Sequence, residues 1–243
     1  MPENSYAKRR FIRETPETVM RRLPSFGKLM IMGKRNGVAH ERIGAVESIE
    51  TDGDFLLCKG TDHDSRLDPR VVTTMVVCTL TIMAEHVFPR LDFNGADGEP
   101  IFSVIGFDGF EAFETALAGL STEVDPADWA EAERPERPAV SEDDAGLAPL
   151  MAAFASAETV IVTYDQPGFS QRWSGVLPKP NPAMGFINVM VPDFHLHLLG
   201  GAVCRWQEAT RDGDTVLTAY DKDGAYTGLS LRATGAAVFR AAG

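Results

Sequence analysis

The sequence has no long apolar run. None of its 243 residues lies in a stretch approaching the ~18 apolar residues that a membrane-spanning helix needs. The arginines between Arg9 and Arg22 are not followed by the hydrophobic core of a secretory signal. We therefore expect a protein without a membrane span and with a cytoplasmic location.

Cysteine is scarce. The three cysteines, Cys58, Cys78 and Cys204, are odd in number, have no CxxC spacing and lie in apolar, strand-like runs. We expect them to be reduced packing residues. The pattern predicts neither a disulfide framework nor a structural zinc site.

Positive charge is in the minority, because 23 Lys and Arg face 35 Asp and Glu and the net charge is -12. Nucleic-acid binding depends on a positive field, so we expect no nucleic-acid partner. The basic residues are concentrated before residue 36, whereas 123–144 is strongly acidic. We interpret the basic stretch as a solvated helix face or an arm, with a polyanion-binding arm as the alternative.

Common catalytic signatures are missing as well. The sequence contains no Walker loop, no dinucleotide fingerprint and no recognisable serine–histidine–carboxylate set. Gly200-Gly201 lacks the strand-to-helix context of a phosphate cradle. Hydrolase and kinase functions are therefore not indicated.

The chain does contain an internal repeat. The dipeptides Asp97-Gly98 and Asp223-Gly224 occupy matching places between alternating apolar runs, as hairpin turns do. Further matches follow the same order in both halves: 39–44 with 170–175, 67–71 with 194–198, and 76–78 with 202–204. Collinear matches favour duplication over two ordinary meanders. The match of 67–71 with 194–198 places Arg70 and His197 at equivalent positions.

The duplication predicts the architecture. We expect an α+β fold of two pseudo-symmetric repeats, each a large antiparallel sheet with packed helices, and a cleft between the halves. Helices are predicted at Pro16 to Leu23, at Phe107 to Leu120 and from Ser141 to about residue 157. The run from Pro178 to Pro182 predicts a rigid loop. The regions are a basic arm (1–26), a first repeat (27–120), an acidic connector with a helix (121–158) and a second repeat (159–243).

Three stretches resemble the HemS/ChuS type of cytoplasmic haem-trafficking and hemin-degrading proteins, which are related to ChuX and HutX. They are a strand-turn phrase at 35–44, the phrase Asp68-Pro69-Arg70, and a C-terminal phrase that includes Phe186-Ile187-Asn188-Val189 and residues 192–198. The likeness covers most of 27–106 and 159–235, so the chain resembles a shortened member.

The resemblance implies a haem cofactor held between the halves, with Arg70 on the distal side of the iron. A guanidinium there hydrogen-bonds an iron-bound ligand and keeps its charge; the alternative for Arg70 is a surface cation near a turn. The resemblance also implies an axial histidine on a helix before the second repeat, yet 121–158 contains no histidine. We therefore expect the haem site to be remodelled or lost.

Five histidines remain as sources of an imidazole ligand. His195 and His197 share one face of a predicted strand, because side chains alternate along strands. His197 is the first candidate for the iron ligand, and a structural role is the alternative, since the family keeps this histidine beside its separate ligand. We expect His40 to be structural and His63 and His86 to lie in loops.

The leading hypothesis is a haem carrier or chaperone of haem uptake and utilisation. One alternative is an oxygenase-like enzyme that degrades haem, in which the iron supplies the chemistry and the protein supplies the geometry. The other is a scaffold or small-molecule binding module that retains the fold without haem. The expected partner is haem or another small molecule, and the chain is expected to be a monomer or a homodimer.

Overall fold

The computed structural model describes residues 9–79, 82–83, 86–127 and 136–240. The strands in the first half of the chain are β1 Arg9–Ile12, β2 Lys28–Arg35, β3 Val38–Ala45, β4 Ser48–Asp52, β5 Phe55–Lys59, β6 Asp64–Leu67, β7 Thr74–Cys78, β8 Ile82–Met83, β9 His86–Val87, β10 Arg90–Asn94, β11 Pro100–Gly106 and β12 Thr122–Val124. Those in the second half are β13 Thr159–Gln166, β14 Phe169–Val176, β15 Asn181–Ala183, β16 Phe186–Val191, β17 Phe194–Leu199, β18 Arg205–Arg211, β19 Asp214–Tyr220 and β20 Tyr226–Thr234.

Helices are few and short. In the part of the chain that the structure describes, the α-helices are α1 Pro16–Met20, α2 Phe110–Leu117 and α3 Leu147–Ser156, and three 3₁₀ helices cover Leu23–Phe26, Pro69–Val71 and Ala236–Phe239. Antiparallel sheets with few helices confirm the predicted α+β class. None of the helices within the described residues is long and apolar enough to cross a membrane.

The chain divides into two compact units. The first comprises 1–32, 43–134 and 167–169. Its strands are hydrogen-bonded in the orders β12-β1-β7-β10-β11-β2 and β6-β5-β4. Its core includes Phe93 stacked on Phe102, with ring centroids 4.4 Å apart, and an edge contact of Phe26 with Phe113.

The second unit comprises 33–42, 135–166 and 170–243. Its strands run in the orders β3-β17-β16-β15 and β18-β19-β20-β13-β14. Trp173 stacks on the fully buried Phe194 at 4.6 Å, and Tyr164 is fully buried as well.

The order of elements along the chain repeats, which confirms the predicted duplication. The hairpin β2–β3 corresponds to β13–β14, the meander β4–β6 to β15–β17, and the strands β7, β10 and β11 to β18, β19 and β20. The order β7-β10-β11-β2 of the first unit recurs as β18-β19-β20-β13 in the second. Local turn chemistry explains the hairpins: Asn36 and Gly37 adopt φ of 52° and 77°, as a tight turn requires.

The basic N-terminal stretch is partly a strand rather than an arm. β1 pairs with β7, where Arg10 faces Val77, and with β12, where Arg10 faces Val124. Arginines of this stretch are paired with carboxylates: Arg9 with Asp125, Arg10 with Glu114, Arg13 with Glu123, and Arg21 with Glu17. These pairs neutralise much of the basic stretch, so they favour a solvated face over a polyanion-binding arm.

The predicted helices form but are shorter. Thr15 caps α1 as expected, its hydroxyl accepting a hydrogen bond from the Thr18 amide at 3.3 Å. α3 begins at Leu147 instead of Ser141 because the preceding residues form turns, with the Asp144 carboxylate accepting from the Gly146 amide at 2.8 Å.

Two stretches expected to lie outside sheets contribute edge strands. Within the acidic connector, Thr122–Val124 forms β12 against β1. Within the proline-rich run, Asn181–Ala183 forms β15, in which Pro182 faces Ile187 of β16. β15 is the last strand in its order, which is where a sheet tolerates a residue without an amide donor.

The three cysteines differ in environment. Cys58 and Cys78 are buried in strands, as predicted, whereas Cys204 is exposed just before β18, so its predicted packing role is wrong. Burial raises the pKa of the Cys58 thiol to about 12.

Candidate functional site

β17 presents His195 and His197 on one face of the second unit. Their neighbours Phe194, Leu196 and Leu198 point the other way and are fully buried, whereas both histidines are half-buried. The centroids of the two imidazole rings lie 5.8 Å apart. This arrangement confirms the alternation predicted from the sequence.

Glu41 of β3 joins the two histidines. β3 pairs with β17, and Glu41 lies directly opposite His195. Its Oε2 is 3.2 Å from His195 Nδ1 and 3.7 Å from His197 Nε2. We call Glu41, His195 and His197 the imidazole–carboxylate cluster.

Glu41 is charged although it is buried. Burial would raise its pKa, but hydrogen bonds and the positive potential from His195 and His197 outweigh burial and lower the pKa to about 2. The cluster therefore contains a charged, buried carboxylate beside two histidines.

Asn188 on β16 orients His197. The two residues face each other across the β16–β17 pair, and His197 Nδ1 lies 2.6 Å from Asn188 Oδ1. The amide nitrogen of Asn188 donates to the backbone carbonyls of Asn181, Ala183 and Phe186 at 3.0 to 3.2 Å. Since the amide oxygen only accepts, His197 carries its proton on Nδ1, and the lone pair of the neutral ring lies on Nε2.

Arg70 lies in the first unit, in the 3₁₀ helix that follows β6. Its side chain is 54% exposed. Nε and Nη2 donate to the two oxygens of Asp68 at 2.9 Å each, and Nη1 donates to Asp54. Its hydrogen bond with Asp68 raises the pKa of Arg70, so it is a permanent cation. A guanidinium has five donors, and these contacts use three of them.

The structure corrects the sequence match between Arg70 and His197. In the first meander Leu57 faces Arg66, and in the second Asn188 faces His197. Eight residues lie between the members of each pair (58–65 and 189–196), so Arg66 occupies the place of His197. The sequence match slipped because Pro69 starts a 3₁₀ helix, whereas the compared residues of β17 continue a strand.

The other histidines have separate environments. His40 is fully buried; its Nε2 donates to the Val162 carbonyl at 3.3 Å and its Nδ1 accepts from Gln171 at 2.9 Å. Burial lowers its pKa to about 3, which is consistent with a structural role. His63 lies in a loop, as predicted, but is buried, with Nε2 3.2 Å from the Gly44 carbonyl. His86 lies in β9 rather than in a loop.

Sequence reasoning missed Glu41 and Asn188. Glu41 stands in the strand-turn phrase at 35–44, but its contact with His195 joins residues 154 positions apart. Asn188 stands in the C-terminal phrase, nine positions from His197. Alternation along β16 and β17 would have placed Asn188 on the histidine face once the hairpin was assigned.

Comparisons with known proteins give matches among solved structures. No family model and no curated protein matches the sequence. The ChuS haem oxygenase of E. coli matches with a TM-score of 0.74 and 17% identity, over 92% of this chain and 82% of ChuS. Improved coordinates of the haem-degrading enzyme ChuS from E. coli O157:H7 give a TM-score of 0.75 and 17% identity, over 94% and 82%.

The haem-binding protein PhuS from Pseudomonas aeruginosa matches in its apo form with a TM-score of 0.71 and 16% identity, over 96% of this chain and 84% of PhuS. At such identities the likeness establishes a shared fold. The chain therefore has the fold of ChuS and PhuS, as the resemblance in its sequence predicted.

Proposed function

We propose that this chain is a haem-binding protein and that His197 supplies the iron ligand. The observation that carries the proposal is the state of the His197 ring: Asn188 holds Nδ1 as the donor, which leaves the Nε2 lone pair available. Ligating histidines characteristically donate their second ring nitrogen to a fixed oxygen, which sets the tautomer and the ring orientation. The fold shared with ChuS and PhuS, which are haem proteins, supports the same proposal.

The residues fit the chemistry of haem. A neutral imidazole is a common axial ligand, and the His197 side chain is 25% exposed, so a ligand reaches it from solvent. His195 lies beside it as a second polar group. We assign Arg70 the distal role that the resemblance gives it, with the two donors that Asp54 and Asp68 do not use.

Haem transport is the function we favour, and haem degradation is the second candidate, supported by the likeness to ChuS. In degradation, bound haem would supply the oxygen-activating iron. The chain would then have to orient the iron-bound ligand, and Arg70 is the permanent cation assigned to do so.

A hemin titration tests the proposal. We expect a saturable one-to-one Soret shift in the wild type, at least about tenfold weaker binding in His197→Ala, and a smaller loss in Arg70→Ala. Cys204→Ser is the matched control, because an exposed thiol is another accessible iron ligand, and it should behave as wild type. The same unsaturable response in all four proteins would overturn the proposal.

A second experiment separates transport from degradation. The haem complex is reduced in air with catalase present. Formation of a tetrapyrrole product would assign an enzyme, whereas an unchanged complex that transfers haem to apomyoglobin would assign a carrier.

A further inference from the structure

We propose that Glu41, His195 and His197 also form a binding site for a divalent first-row transition-metal ion, which the protein holds when haem is absent. The proposal rests on the geometry of the imidazole–carboxylate cluster and stands whether or not the chain binds haem. It concerns a bare ion with three protein ligands rather than the iron of a porphyrin.

The spacing of the donor atoms suits such an ion. One ligand atom from each of the three residues lies within 4.8 Å of the other two. Glu41 Oε2 is 3.2 Å from His195 Nδ1 and 3.7 Å from His197 Nε2. Bonds of 2.0–2.2 Å at tetrahedral angles place neighbouring ligand atoms about 3.3 Å apart. The two distances from Glu41 are therefore within a few tenths of an ångström of this spacing, and closing an ion between the two imidazoles needs a small rotation of the partly exposed histidine side chains.

The positions of the lone pairs in the imidazole–carboxylate cluster also favour binding of a cation. With its proton held on Nδ1 by Asn188, His197 directs the Nε2 lone pair towards a carboxylate oxygen 3.7 Å away. Two acceptors that face each other repel unless a positive charge lies between them; a proton on Nε2 supplies it when the ring is an imidazolium, and a metal ion can supply it when the ring is neutral. A bound metal ion supplies that charge, and His195 joins the site when its proton moves to Nε2, since either nitrogen of a neutral imidazole can carry it.

The surroundings resemble those of metal centres that keep open positions. Asn188 fixes His197 from behind, as an outer-shell partner does. The side chains of Glu41, His195 and His197 are 10%, 21% and 25% exposed, so the cluster is anchored in the sheet and open to water on one side. Two imidazoles and one carboxylate suit Zn²⁺, Fe²⁺ or Co²⁺ and disfavour Mg²⁺ and Ca²⁺, which prefer oxygen ligands.

The test uses the full chain, stripped of metal and free of any histidine tag. Zn²⁺ is titrated by calorimetry, and Co²⁺ is followed by its visible absorption. The background is Cys204→Ser, because the exposed thiol would otherwise bind these ions. We expect one equivalent of Zn²⁺, and at least about tenfold weaker binding in Glu41→Gln, His195→Gln and His197→Gln.

A variant at Asn188 probes the orientation of His197. Asn188→Ala, which removes the acceptor for Nδ1, should weaken Zn²⁺ binding about tenfold. Glu208→Gln, a change at an exposed carboxylate of the same unit, is the matched control and should bind as wild type.

The ring nitrogens of the histidines give a readout that needs no variant. Zn²⁺ should shift the ¹⁵N signals of two histidines in the wild type and leave the others in place. Unshifted signals, or Zn²⁺ binding that is equal in the wild type and all three ligand variants, would overturn the proposal.

Titrations with hemin and with Zn²⁺ then test the metal site and the proposed haem binding independently. If His197 serves both ligands, Zn²⁺ and hemin compete. Zn²⁺ binding without any hemin binding would overturn the haem proposal and leave the metal site standing, and the reverse result would overturn the metal site alone.

Discussion

The two meanders share one backbone plan and carry different chemistry on their outer faces. β5–β6 and β16–β17 have matching registers, with eight residues between Leu57 and Arg66 and eight between Asn188 and His197, and both bury alternate residues. On the other face the first meander carries Asp64 and Arg66, where the second carries His195 and His197. The difference continues in the neighbouring hairpins, where Glu41 of β3 corresponds to Arg172 of β14.

The first face is a surface of ion pairs. Asp64 accepts from Lys59 at 2.9 Å, and Arg66 lies over the Phe55 ring at 3.2 Å from its centroid. Exposed contacts of this kind contribute little to stability. The second face carries imidazoles at those positions, together with an orienting amide, Asn188. In a duplicated fold, the same face can therefore be an ordinary charged surface in one repeat and a candidate binding site in the other.

The largest loss of stability should come from truncating the buried side chains that the two meanders have in common. Leu67 and Leu198 are both fully buried at matching positions, so Leu67→Ala and Leu198→Ala should each destabilise the protein by about 2–5 kcal/mol. Urea unfolding curves measure both. A loss below about 1 kcal/mol in only one variant would show that the two meanders are not equivalent in packing.

Replacing the histidines of the second meander with the residues found in the first should abolish the binding site and leave the fold intact. His195→Asp combined with His197→Arg should lower Zn²⁺ and hemin affinity about 100-fold, or about 2.7 kcal/mol. The melting temperature should fall less than in Leu198→Ala, because both changes lie on the partly exposed face of β17 and leave its buried residues in place. Arg66→His is the control and should leave both affinities unchanged.

His40 and Gln171 occupy matching positions of the two hairpins, and only His40 titrates. Because burial lowers the folded-state pKa of His40 to about 3, the unfolded chain binds more protons below its ordinary value of 6.5. Stability should therefore fall as the pH drops from 6.5 towards 3, by about 2 kcal/mol at pH 5 from this group. Denaturation curves at several pH values measure the slope, and His40→Gln should flatten it. An unchanged slope would contradict this origin.

The smallest loss of stability should come from the charged outer face of the first meander. Arg66→Ala removes a stacked but exposed cation and should cost about 0.5–1 kcal/mol. Arg205→Ala, which removes a similar contact with Tyr220 at 4.1 Å, provides the comparison within the second unit. A loss above about 2 kcal/mol at Arg66 would mean that this face is part of the core.

The sequence predicted what depends on short stretches. The Asn36-Gly37 turn requires positive φ at both residues, and the alternation around His195 and His197 follows from strand geometry. It did not predict Glu41, which reaches His195 only because β3 pairs with β17. It matched Arg70 with His197, whereas the residue at that place is Arg66, four positions earlier. The error arose because the sequence alone did not show that β6 ends before Pro69.

The proline in β15 has a consequence for the behaviour of the protein at high concentration. β15 ends its strand order, so its outer side is where another chain would add a strand. Pro182 has no amide hydrogen to donate to a strand ladder, and two further prolines, Pro178 and Pro180, stiffen the approach. The same residues that make the strand short thus protect the histidine-bearing sheet from edge-to-edge self-association.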